Sequence, residues 1–150
     1  TTVAAARAKG FPIENIVFEV IEGEAIRDHA HLSNIINYYK KQGFSTAIDD
    51  FGSGYAGLNL LAEYQPDFIK LDRKLVTGIH LSPPRQAIAR AVIQVCRDLH
   101  IGLLAEGVED ISEVAWFAKQ GVELFQGNYF AEPGFEILPD VPAERLNISL

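Results

Sequence analysis

The sequence predicts an α/β fold of parallel strands, corresponding to about the last five βα units of a (β/α)8 TIM-type barrel. Three observations lead there. Short aliphatic, β-branched runs alternate with amphipathic helical stretches along the chain, the pattern of βα units in a parallel sheet. The turns between them are short. The out-of-place polar residues stand at the ends of strands, namely Glu19, Asp49, Asp50, Lys70, Glu106 and Gln126. In parallel α/β folds these ends lie on one side, so the groups are expected to converge. A full barrel typically needs about 250 residues and eight strands. Five strands are legible in these 150 residues, so the first strands of the barrel are expected to lie outside this sequence.

In chain order, residues 1–9 form an alanine-rich helix tail that stops at Gly10. Residues 15–21 read as a strand buried on both faces, interrupted only by Glu19. Asp28 caps a helix with Leu32, Ile35, Ile36 and Tyr39 at helical spacing, closed by Gly43. The next strand, 45–49, is expected to end on the Asp49-Asp50 pair, because neighbours on a strand point to opposite faces and can share a target only where the backbone bends. Gly52 and Gly54 permit that turn, and 55–63 is a short helix. A third strand lies within 66–72 and carries Lys70. Pro84 or Arg85 opens the longest helix, with Ile88, Val92, Val95 and Leu99 inward. A strand at 102–105 leads into Glu106, Asp110 or Ser112 caps a helix that buries Val114 and Trp116 or Phe117, and 122–125 is the last strand. The barrel part is expected to span 1–133, followed by a proline-punctuated tail, 134–150.

Composition narrows the partners. The chain is 48% apolar and 22% charged with a formal net charge of −7, an acidic balance that argues against a nucleic-acid duplex. No apolar run reaches the roughly 20 residues that span a bilayer, so no membrane segment and a cytoplasmic location are expected. The single Cys96 sits among Val92, Val95 and Leu99 and reads as an inert buried thiol.

Paired acids at a buried strand end need a cation between them. Carboxylate oxygens suit Mg²⁺, Mn²⁺ or Ca²⁺, and Lys70 beside convergent acids points to a reactive site. Asp50-Phe51-Gly52 also spells the magnesium motif of protein kinases, but no glycine-rich loop or His-Arg-Asp loop accompanies it.

Five segments then match one family in order and spacing: Phe18-Glu19-Val20-Ile21-Glu22, Ile48-Asp49-Asp50-Phe51-Gly52-Ser53-Gly54-Tyr55, Phe68-Ile69-Lys70-Leu71-Asp72-Arg73, Ala105-Glu106-Gly107-Val108-Glu109 and Phe125-Gln126-Gly127-Asn128-Tyr129-Phe130. From about Gly10 to Pro133 the sequence resembles the EAL-domain phosphodiesterases of bacterial cyclic di-GMP signalling. The resemblance implies metal-dependent hydrolysis of cyclic di-GMP to the linear dinucleotide. It implies two divalent ions, Mg²⁺ or Mn²⁺, held by Glu19, Asp49, Asp50 and Glu106. Lys70, Glu106 and Asp49 would do the chemistry, with Lys70 at the attacking water. Glu22, Gly52, Glu109 and Gln126 would support the site, Glu22 anchoring the loop after Asp50, and Asp72, Gln126 and Pro133 would meet substrate. Two departures qualify this picture. The Glu-Ala-Leu segment that names the family and a later Asn ligand are not in these residues, so one ion keeps its ligands here and the other loses two of four. Asn128 stands where the family usually has a larger apolar or aromatic residue.

The expected consequence is a truncated, impaired portion of an enzyme whose parent carries a sensory or regulatory domain, with open sheet edges that favour a homodimer or swapped oligomer. Two other readings remain: a catalytically inactive cyclic di-GMP receptor or protein-binding module on the same barrel face, and an enolase-type lyase with Lys70 as base. The adjacent Asp49-Asp50 pair argues against the lyase, which spreads its ligands one per strand.

Overall fold

Five parallel strands lie side by side in the order in which they occur in the chain, β1-β2-β3-β4-β5. The computed structural model describes residues 2–25, 29–53 and 57–146. Its elements are α1 (Thr2–Lys9), β1 (Val17–Ile21), α2 (Glu22–Ala25), α3 (His29–Gln42), β2 (Ser45–Phe51), α4 (Gly57–Tyr64), β3 (Phe68–Leu71), α5 (Arg73–Val76), α6 (Pro83–Asp98), β4 (Gly102–Glu106), α7 (Ile111–Lys119), β5 (Leu124–Gln126) and α8 (Ala143–Leu146). Strictly sequential order means that each crossover steps the same way along the sheet. A doubly wound sheet reverses its order part-way, whereas a barrel does not. The arc is therefore five strands of a TIM-type barrel.

The two faces of the arc differ in chemistry. Toward the helices, Ile48, Ile69, Leu71 and Ala105 are fully buried in one core with Leu60, Leu61, Val76, Ile79, Ala89, Val114 and Phe117. On the concave face, Val17, Glu19, Ala47, Phe68, Lys70, Leu104 and Leu124 line a cavity of about 190 Å³. Phe68 fills the lower part of this face, and its ring lies where a Cβ on Gly102 would stand. Phe18 points the other way and stacks flat on Tyr39 of α3, ring centroids 3.8 Å apart.

Four elements differ from expectation. β1 is not buried on both sides: Val17 and Ile21 are 43% and 45% exposed, because β1 pairs only with β2 and its concave face meets no opposing wall among the described residues. β2 does not stop at Asp49 but runs to Phe51. Its register with β3 steps from Ile48↔Ile69 to Phe51↔Leu71, so one extra residue is accommodated in a β-bulge. β5 begins at Leu124 rather than 122, since Val122 is still paired to the end of α7 through its N–H on Phe117 O, 3.1 Å. In α6, which starts at Pro83, the inward face is Ala89, Val92, Ile93 and Cys96, while Ile88 is 56% exposed. The small Ala89 lets the helix approach the turn at Ile79; of the expected stripe, Val92 lies in the core, Val95 and Leu99 pack partly buried against it, and Ile88 turns outward.

The other boundaries follow local chemistry. Gly10, Gly43 and Gly121 follow α1, α3 and the end of α7 with φ of 64°, 89° and 79°. Asp110, not Ser112, caps α7. Phe117 is fully buried, with Trp116 packed partly buried against the core. Cys96 is 2% exposed, and burial pushes its thiol up to about 12, the inert behaviour expected of it. Asp28, Gly54 and Tyr55 lie outside the described residues. No described helix is long and apolar enough to cross a membrane.

The α6 face gives a direct test. Ile88→Ser should change unfolding free energy by less than about 0.5 kcal/mol in urea melts. Ala89→Leu should cost roughly 1–3 kcal/mol by overpacking. The opposite ranking would restore the face centred on Ile88.

Candidate functional site

Lys70 is the centre of the carboxyl end of the sheet. Its side chain is 9% exposed, and Nζ lies 3.0 Å from Asp49 Oδ1, 3.1 Å from Glu19 Oε2 and 3.2 Å from Glu106 Oε2. These partners come from β2, β1 and β4. Parallel register alone brings them together, because Glu19, Asp49, Lys70 and Glu106 all stand near the ends of neighbouring strands. Burial by itself would lower the lysine, but its hydrogen bonds to Asp49 and Glu19, with the charge of Glu106, outweigh it and hold the ammonium above its ordinary value. Glu106 is raised as well, which for an acid disfavours the charged form. Burial pushes its carboxyl up, Lys70 draws it back, and the adjacent Asp49 pushes it up again, leaving it raised.

The bulge explains how two adjacent acids reach this end. Asp50 has φ of 57°, a left-handed conformation that Asp tolerates better than most residues. It is the inserted residue, so Asp49 and Asp50 together stand opposite Lys70 in the β2–β3 register. The Asp50 N–H donates to Asp49 Oδ1 at 3.0 Å, which holds the first carboxylate in place. Asp50 is not among the ion-pair partners of Lys70. Gly52 follows at φ 95°, and its N–H donates to Oε2 of the fully buried Glu22, 2.9 Å away. Glu22 thus fastens the turn after Asp50 to the end of β1.

On the other flank, Gln126 stands beside Glu106 in the β4–β5 register. Glu106, Gln126, Arg73, Glu109, Asn128 and Pro133 contribute to the lining of a cavity of about 340 Å³. Glu109 pairs with Arg73 at 2.6 Å. Asp72 is set apart: its Oδ1 accepts from Lys74 N at 2.8 Å as the cap of α5, and it lines a different cavity with Arg73, Lys74, Thr77 and Arg85.

One residue escaped the sequence reading. Glu113 is 3% exposed and binds three backbone N–H groups: Oε1 accepts from Gly78 at 2.7 Å, and Oε2 from Glu109 at 2.9 Å and Asp110 at 3.2 Å. It ties the loop that follows Glu106 to the turn before α6. The Asp110-x-x-Glu113 spacing of a capping box was its signal. Gly127 locks the same loop from the other side, since any Cβ there would fall on the Val108 backbone.

The donors fit a hard divalent cation. Every candidate ligand is a carboxylate, the chemistry that suits Mg²⁺, Mn²⁺ and Ca²⁺. Glu106 Oε2 is buried and takes no hydrogen bond, its ion pair with Lys70 notwithstanding. Among the described residues, however, the acids are not gathered in a ready metal cage but arrayed around the ammonium.

The family model described as the EAL domain matches residues 2–133. The chain belongs to the EAL-domain family. It is 40% identical over 135 residues to the Escherichia coli K12 blue light- and temperature-regulated antirepressor BluF, a match covering 90% of this chain and 34% of BluF. It is 36% identical over 127 residues to the E. coli cyclic di-GMP phosphodiesterase PdeR, covering 85% of this chain and 19% of that protein. Among solved structures, a standalone EAL protein from Vibrio cholerae O395 in a c-di-GMP bound form is 51% identical, with a TM-score of 0.91, covering 97% of this chain and 62% of that one. Klebsiella pneumoniae BlrP1, solved as a calcium and cyclic di-GMP complex, is 38% identical with a TM-score of 0.89, covering 93% of this chain and 36% of that one. The chain thus spans about a third or less of the two curated relatives named here.

Glu113→Ala should remove charge-assisted acceptors from three N–H groups and destabilise the chain by about 3 kcal/mol. Hydrogen exchange at Gly78, Glu109 and Asp110 should accelerate together. Acceleration at only one of the two loops would show that Glu113 does not join them.

Proposed function

We propose that this chain contributes the Lys70 carboxylate cluster to a metal-dependent phosphodiesterase that opens cyclic di-GMP to the linear dinucleotide. The observation that carries the reading is the convergence of Glu19, Asp49 and Glu106 on Lys70 at the carboxyl ends of consecutive barrel strands. Support comes from relatives named as cyclic di-GMP phosphodiesterases and from similar chains solved with cyclic di-GMP and calcium or manganese. Asp49, Asp50, Glu106 and Glu19 would hold divalent ions, Mg²⁺ or Mn²⁺, two in the intact domain. When bound, such ions lower the pKa of a coordinated water and stabilise charge on the phosphate.

The chain's own residues have separable tasks. Asp49 is held in place by the Asp50 N–H. Lys70 Nζ, with three N–H donors, would donate a hydrogen bond to the attacking water and so orient it toward phosphorus. Glu22 and Gly52 set the turn that follows the acid pair. Gln126 and Pro133, beside Glu106, would face the dinucleotide. Unscreened, the clustered acids would repel a phosphodiester, so activity should require added divalent ion. Since ligands named by the resemblance are not in these residues, turnover belongs to the intact domain and the 150-residue chain alone should be impaired.

A second reading has one observation in its favour. The relative at 40% identity is named as an antirepressor, not as a phosphodiesterase, so a binding module on the same barrel face is the alternative. In the intact domain with Mn²⁺ and cyclic di-GMP, Asp49→Asn should reduce formation of the linear dinucleotide, followed by chromatography, to below about a tenth of the original rate. Retention of more than that would overturn the assignment. Binding of cyclic di-GMP without turnover, equal in both forms, would favour the binding module.

A further inference from the structure

Resting on the metal-dependent reading above, we infer that Lys70 is the site's own counter-ion: its ammonium sits where the carboxylates converge, and a divalent cation enters only as that ammonium leaves. Four observations carry this. Nζ lies within 3.2 Å of carboxylates from three different strands, so its one positive charge is set against three acids at once. The side chain is 9% exposed, where lysine is rare unless paired. The described acids have no spacing ready for a metal and instead surround the ammonium. Glu106 Oε2, the longest of the three contacts, is buried and takes no hydrogen bond, which leaves a ligand oxygen that a better cation would satisfy.

The two cations compete for these carboxylates. A divalent ion needs the lone pairs that Nζ now faces, and like charges at that separation repel strongly in a partly buried site. Metal binding would therefore turn the lysine from the acids toward water, where its flexible stem leaves it as a donor. One side chain then serves two states. Without metal it keeps the acids from repelling each other, and with metal it meets the nucleophile. The site consequently trades metal affinity for a stable metal-free fold.

The test is Mn²⁺ binding by calorimetry and electron paramagnetic resonance on the chain and on Lys70→Met, which keeps the stem and removes the charge. The expected result is binding about tenfold tighter or more in Lys70→Met, together with lower thermal stability when metal is withheld. Equal or weaker binding in Lys70→Met would overturn the inference while leaving the metal reading intact. Absence of Mn²⁺ binding in either form would overturn both. Should Lys70→Met fail to fold, the unaltered chain gives the answer by ¹⁵N spectroscopy of lysine ammonium groups. The Lys70 signal, protected from solvent by its carboxylates, should lose that protection as Mg²⁺ is added. An unchanged ammonium signal while the Asp49 carboxylate shifts with Mg²⁺ would refute displacement.

Discussion

Three carboxylates brought together at the end of a sheet repel one another, and the structure answers that constraint with one buried ammonium. Unit charges about 4 Å apart near a protein surface interact by roughly 4 kcal/mol, so the arrangement is tolerable only with its counter-charge in place. Lys70 on β3 reaches β1, β2 and β4 at once. The ion pairs therefore also fix how the strand ends align, including the end of the edge strand β1. Stripping the lysine from such a group leaves an uncompensated charge, which typically costs about 3–5 kcal/mol where burial is complete. The same constraint makes the site receptive to metal, because acids that demand one cation will accept another.

Around this centre, the fold places its irregular geometry where the acids are. The bulge at Asp50 adds a residue to β2 opposite Lys70 and takes a left-handed backbone to do it. The buried carboxylates Glu22 and Glu113 then hold the neighbouring turns through main-chain N–H groups. Neither lies in the Lys70 cluster. Charge-assisted bonds to backbone are stronger than neutral ones, so both act as rigid ties from the loops that carry the acids to the regular elements behind them. Strained backbone persists where its surroundings over-determine it, and Asp50 is held by β3 on one side and by the Glu22–Gly52 bond on the other.

Much of this was legible in the residues. Alternating apolar strands and amphipathic helices predict parallel βα units, and the placement of Glu19, Asp49, Lys70 and Glu106 at strand ends predicts that they meet. What was not legible has physical reasons. Two adjacent acids imply a departure from regular pleating, but a strand end and a bulge satisfy that equally; only the register with β3 decides. The stripe of α6 follows where a small side chain permits close approach, so Ala89 rather than Ile88 faces inward. Asp72 reads as one more acid near a strand end, yet its oxygen is used to cap α5. Glu113 carries a helix-cap signal in sequence, while its bond to Gly78, thirty-five positions away, is a fact of tertiary structure alone.

Membership of the EAL-domain family and the shape of the arc agree on where chemistry is to be sought, and the deciding question is what the acids do when offered a metal. Diffraction at the manganese absorption edge, from crystals of the chain grown with Mn²⁺, tests that most directly. An anomalous peak is expected within coordination distance of Asp49 and Glu106, with Lys70 Nζ withdrawn from both. A lysine still seated among the carboxylates, with no peak beside them, would contradict it.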